Sequence, residues 1–194
     1  MQHKKTNKKK IKHIIINGLI AIVFISIIVN QIIWLTNMNH LYQRELYTYS
    51  KEAALDAVWM EFAERSEIMG GSLVFSHNLS TPNDTTRFIK KKITTEDSTY
   101  LFIIDKYDPN TIHKISQFIL KKILPIDLNK LNTIFQNKII EKYNIESSYF
   151  DYIDLKNDSL LNTNKPINAM KVRYMMTDTI PLDIINSIGV IGYV

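Results

Sequence analysis

From residue 14 to residue 35 the chain reads IIINGLIAIVFISIIVNQIIWL, with no charge and with apolar side chains on every face of any helix it forms. At about 1.5 Å of rise per residue, a helix of that length crosses the roughly 30 Å hydrocarbon core of a bilayer. The pattern predicts a transmembrane helix over 14–36, with Trp34 as an aromatic anchor at the membrane interface. Asn17, Asn30 and Gln31 are its polar exceptions, and the last two fall near the outer end, where water or a neighbouring helix satisfies them. A cleaved signal peptide fits less well, because the run exceeds the usual apolar length and no small-residue cleavage site follows it closely. A buried helix of a soluble domain fits less well still, since few such helices are apolar all round.

Past residue 36 the pattern becomes periodic. Met38, Tyr42, Leu46, Tyr49, Ala53, Ala57 and Met60 recur every three or four positions, which predicts a juxtamembrane helix over 37–69 with no Pro or Gly to separate it from the span. Leu55, Val58, Trp59 and Phe62 widen the apolar face at its far end. A helix whose near half pairs with a second copy and whose far half covers a sheet shows this pattern, so a homodimer through the face from Met38 to Ala57 is expected; the alternative is a helix that simply packs its stripe on its own domain, and both can hold at once. Gly70 and Gly71 end it.

The remainder, 70–194, alternates strand and helix patterns. SLVFS (72–76) reads as a short strand, and TYLFIID (99–105), apolar on both faces, as a central one. Asp108-Pro109 offers a cap and a first-turn proline for a helix carrying Ile112, Ile115, Phe118, Ile119 and Ile123. Pro125 stops it, and Asp127 caps a second helix through Leu128, Leu131, Ile134, Phe135 and Ile139 toward Asn144. Segments 149–155, 170–176 and 188–194 are strands, joined through a turn-rich NDSLLNTNKPIN, and read as an antiparallel meander. The fold class is α+β: a transmembrane helix continuing into a long helix, then a PAS-like antiparallel sheet of about five strands with flanking helices. The chain stops inside an apolar strand, which suggests that the domain continues in a longer protein.

Charge sharpens the topology. Lys4, Lys5, Lys8, Lys9, Lys10 and Lys12 crowd the tail 1–13, and the first carboxylate is Glu45. The positive-inside rule keeps that tail in the cytoplasm and exports the domain, which for a cysteine-free chain suits the periplasmic side of a bacterial inner membrane. These lysines also account for the formal net charge of +5, so the basic balance implies anionic lipid and no nucleic acid.

Candidate chemistry is sparse. His40, His77 and His113 lack metal-ligand spacing, and His113 falls on the polar face of its helix. No nucleophile elbow or phosphate-binding glycine loop is written in the sequence, and Asp151 and Asp154 point to opposite faces of a strand. No catalytic residue, cofactor or metal ligand is therefore assigned. The sequons at Asn78 and Asn83 carry meaning only in a eukaryotic secretory pathway. The string NKPINAMK (164–171) matches the NxxxNAxK box of kinase ATP sites, but Pro166 interrupts the helix that box requires and no glycine-rich loops follow. In MKVRYMM (170–176), Arg173 is a charge in need of a partner if both faces of the strand are covered, so Arg173 and the adjacent Tyr174 are the candidate residues for a small, anionic ligand.

WLTNMNHLYQRELYTYSKEAALDA (34–57), PIDLNKLNTIFQNKI (125–139) and TIPLDIINSIGVIGYV (179–194) resemble the N-terminal input region of membrane sensor histidine kinases from anaerobic Gram-negative gut bacteria. The resemblance implies a signal-input module lacking the second span, the phosphorylated-histidine helices and the ATP-binding domain, and it carries over no catalytic residue. The competing expectations are a complete single-pass, membrane-anchored periplasmic binding or assembly protein, and an anchored envelope enzyme.

Overall fold

A computed structural model describes residues 3–68, 87–94, 98–145, 147–167 and 174–194, with side chains from residue 15 onward. It divides into two units, 1–46 and 47–194. The first unit is helical throughout its described length and belongs to α1 (His3–Ile68), an unbroken helix of 66 residues. Its side chains from Ile15 to Leu35 are all exposed, and α1 is long and apolar enough to cross a membrane. Trp34 is among the exposed side chains, as are Met38, Leu41 and Tyr42.

In the second unit, α1 changes character. Ala53, Ala54, Ala57 and Val58 are buried, while Leu55 and Met60 face outward. The small alanines let the helix approach the sheet side of the core closely, so the expected dimer face is partly consumed by the domain itself: Tyr49, Ala53 and Ala57 pack inward.

The sheet is not a single layer of about five strands. β1 (Phe88–Thr94) and β2 (Thr99–Asp105) form an antiparallel ribbon, and β3 (Tyr149–Asp154), β4 (Ser159–Thr163), β5 (Ile180–Pro181) and β6 (Ile188–Tyr193) form a second antiparallel sheet in the order β4-β3-β6-β5. Among the described residues β2 is therefore one half of a ribbon, not a central strand. Its Phe102 and Ile104 are buried, whereas Leu101 and Ile103 are exposed. β6 pairs directly with β3, so the last strands are not a meander either. Of the expected strand 170–176 only 174–176 is described, where Met176 bridges Tyr193 and Met175 exchanges backbone bonds with Val194. The expected strand 72–76 and both sequons lie outside the described residues.

Two helices close the domain. α2 (Thr111–Ile123) starts after the Asp108-Pro109 turn and not at it: the cap position is Asn110, and Asp108 instead accepts from the Asn110 amide. Ile115 and Ile119, one turn apart, pack on Phe102 and Ile104 of the ribbon. Ile112 and Ile123, expected on that stripe, are exposed. α3 (Leu128–Tyr143) begins at Asp127, whose carboxylate accepts from the amides of Asn129 and Lys130, and ends at Asn144 in the left-handed region at φ 52°. Its Leu128, Leu131, Phe135 and Ile139 share a core with the alanines of α1 and with Phe150, Leu182, Val190 and Val194. Phe150 lies opposite Gly192 across the β3–β6 pair, where a Cβ would sit 3.1 Å from the Phe150 ring.

Candidate functional site

Among the described residues, three polar or aromatic arrangements are candidates for a site. Tyr174, one of the two expected ligand residues, belongs to the first. Its ring meets Tyr149 edge-on at 5.0 Å, Tyr149 stacks flat on Tyr193 at 4.4 Å, and the Tyr174 hydroxyl lies 2.7 Å from Ser147 Oγ. The β3–β6 register produces the stack, because Tyr149 and Tyr193 are directly paired. Lys165 Nζ lies 5.4 Å from the Tyr149 ring centre. Burial, with the Asp151 charge adding to it, pushes the Tyr193 phenol up to about 12. Arg173, the other expected ligand residue, lies outside the described residues.

The segment that carries Tyr174 is tied to two elements. Toward β6, the Thr177 amide donates to the Gly192 carbonyl, and the Gly192 amide donates to Thr177 Oγ1 at 3.0 Å. Toward α1, Asp178 accepts from the Tyr47 hydroxyl and pairs with Lys51 Nζ at 2.5 Å. Lys51 first and Tyr47 second hold the Asp178 carboxyl below its ordinary range. Tyr47 and Lys51, one turn apart, thus grip a residue four positions beyond Tyr174. The sequence offered one signal for this grip, the i, i+4 spacing of two polar residues on α1, and nothing that named Asp178 as its partner.

The second arrangement is buried. Glu61 and Arg65 on α1 and Gln117 on α2 are 1%, 4% and 2% exposed. Arg65 donates to Glu61 Oε2 at 3.1 Å, to Gln117 Oε1, and to the Leu124 carbonyl at 2.8 Å. Glu61 Oε1 accepts from the Asp127 amide at 3.1 Å. One ion pair thereby fastens the end of α1 to the C-terminus of α2 and the start of α3. Burial pushes the Glu61 carboxyl up, against the pull of Arg65 and of the Asp127 amide. Beside it the His113 ring, expected on a solvated face, lies 4.6 Å from Trp59 and 5.5 Å edge-on from Phe62. The residue as a whole is exposed, as expected, although its ring meets these two aromatic side chains of α1.

The third is Lys121, whose Nζ is 2.9 Å from Ser187 Oγ, the pairing used by serine–lysine hydrolases. Here the fully buried Asp183 takes the same ammonium at 2.7 Å, while its other oxygen accepts from the Ser187 amide. Asp183 also accepts from the Ser187 hydroxyl, so the three side chains are bonded to one another and together lock the turn before β6. Asp151 and Asp154 share no site: Asp154 accepts from the amides of Lys156 and Asn157 in the β3–β4 turn. Among the described residues no cluster of His, Asp or Glu is placed to hold a metal ion. No family model, curated protein or solved structure matches the chain.

Proposed function

We propose that this chain is the signal-input region of a membrane sensor histidine kinase, held by the apolar stretch of α1 in a bacterial inner membrane, with its tail in the cytoplasm and a PAS-like domain in the periplasm. The observation that carries this reading is the grip of Tyr47 and Lys51 on Asp178. A small anion held by Arg173 and Tyr174 acts on the segment 174–178, and that segment is fastened to the helix that contains the span candidate. Displacing Asp178 by an ångström or two displaces its partners on α1, and shifts of that size between packed elements suffice for helix-based switches. Lys165 beside Tyr149 adds a second cation to an anion-receiving face. The exposed Met38 and Leu41 suit the part of α1 that would pair with a second copy, and the exposed Trp34 suits an anchor at the membrane interface.

The coding sequence beyond codon 194 tests the reading. It is expected to encode a second span, a phosphorylated-histidine helix pair and an ATP-binding domain. A locus that encodes none of these in any frame overturns it and leaves a complete anchored binding protein as the reading of the same tyrosine face.

A further inference from the structure

The β1–β2 ribbon turns one face to α2 and the other outward, and the outward face combines two chemistries. Residues paired directly across an antiparallel ribbon share a face. The register therefore sets Lys90 beside Ile103 and Lys92 beside Leu101, on the side away from the buried Ile93, Phe102 and Ile104. Leu101 and Ile103 are 62% and 69% exposed, and Lys90 and Lys92 are exposed with them. Among the described residues no carboxylate pairs with either lysine. The one acid on this face, Asp105, is taken by Arg87 at 2.6 Å. The face thus presents apolar tips and cations, each lysine standing directly beside an aliphatic side chain.

That combination matches the surface of a bilayer. Apolar tips enter the boundary between headgroups and acyl chains, while lysines lay their stems along the neighbouring aliphatic groups and carry their ammonium heads to anionic lipid. A second copy is a poorer occupant, because stacking two such faces brings the lysines of both copies together with Asp105 already engaged by Arg87. α1 is long and apolar enough to cross a membrane, and a chain tethered there meets lipid at a high effective concentration. We propose that the outward face of the β1–β2 ribbon docks on a bilayer that contains anionic phospholipid, with Leu101 and Ile103 entering the headgroup boundary and Lys90 and Lys92 holding lipid phosphates. The inference rests on the membrane attachment in the functional reading above and on no other part of it.

The chain has no cysteine, so a single introduced cysteine carries a fluorophore to a chosen place. Leu101→Cys and Ile103→Cys probe the face, and Leu160→Cys on β4, 57% exposed, is the control. The labelled full chain is reconstituted in vesicles of phosphatidylcholine, alone or mixed with phosphatidylglycerol, that carry a nitroxide quencher at the headgroup boundary. In the mixed vesicles, quenching at Leu101 and Ile103 is expected to be severalfold stronger than at Leu160. It is expected to fall to the control level in phosphatidylcholine alone, in high salt, and when Lys90→Glu and Lys92→Glu are added. If those two substitutions alter the circular dichroism spectrum, the lipid and salt series decide alone. Quenching no stronger than at Leu160, or quenching that ignores lipid charge and salt, overturns the proposal. A label shielded only as protein density rises, without quenching by lipid, also overturns it and points to a second copy. Alkaline extraction of the same vesicles checks the anchor separately: release of the chain fails the attachment by α1, while the quenching series still decides the docking.

Discussion

Among the described residues the domain has two apolar cores, one shared by two helices and a four-stranded sheet and one formed by a single helix against one face of a ribbon. In the larger, α1 and α3 cover β3 and β6, each of which has a strand on either side, and the buried set runs from Ala53 to Val194. In the smaller, Ile93, Phe102 and Ile104 meet Ile115 and Ile119 on one side, while the other face of the ribbon carries exposed Phe88, Leu101 and Ile103. An isolated two-stranded ribbon is marginal in water and needs a helix or further strands to persist. The contrast teaches that α2 acts as a clamp: it supplies the small core with its apolar face and is itself fixed to α1 through Gln117 and Arg65.

The largest expected effect tests the closed core. Phe135 is fully buried and meets Phe150 edge-on at 5.1 Å. Phe135→Ala is expected to cost about 3–5 kcal/mol, seen as a lower urea midpoint for all probes together. A loss confined to α3 would mean that this core is not one cooperative unit.

Next comes the ion pair between the cores. Glu61→Ala leaves Arg65 buried without its carboxylate and is expected to cost about 3 kcal/mol, as is Arg65→Ala. Removing both is expected to cost less than the sum, because the second substitution deletes the orphaned charge. Strict additivity in a double-mutant cycle would show that water already satisfies the two groups. The ribbon core is more delicate: Ile115→Val removes one methylene between α2 and β2, about 0.5–1.5 kcal/mol. Hydrogen exchange should then accelerate in β1 and β2 and stay unchanged in β3 and β6. Uniform acceleration would erase the distinction between the cores.

The features legible in the sequence were those fixed by local physics. The uncharged run 14–35, the α1 period, the Asp127 cap and the 3.6-residue rhythm of Leu128, Leu131, Phe135 and Ile139 each need only near neighbours to be read. What escaped depended on partners far along the chain. β1 was missed because three lysines mask a strand whose alternation survives only in Ile89, Lys91 and Ile93. β4 was missed because it is exposed at every position and has no buried face to advertise. Reading β2 as central followed from its apolar composition, which in the fold reflects one face against α2 and one face open. The Asp178 grip joins residues 131 positions apart, a separation that no periodicity encodes. Glu61 and Arg65 did leave a trace, since they continue the buried face of Ala54, Ala57 and Val58 by about two helical turns.

The smallest effect belongs to the rim of the larger core, where Asp178 meets Lys51 with both side chains about half exposed. Its folded-state carboxyl lies below the ordinary value of 3.8, because Lys51 and Tyr47 bind the charged form. A depressed acid contributes stability that is present above the unfolded value and is lost as pH falls through the folded one. Asp178→Asn should therefore lower the urea midpoint slightly near neutral pH, and the gap from wild type should close as pH drops below 3.8. Salt should shrink the neutral-pH gap as well, since an exposed pair is screened. A gap that persists unchanged in acid would mean that the Asp178 contacts act through packing and not through charge. The grip on α1 would then survive protonation, and the Tyr174 segment would stay fastened to the helix at any pH.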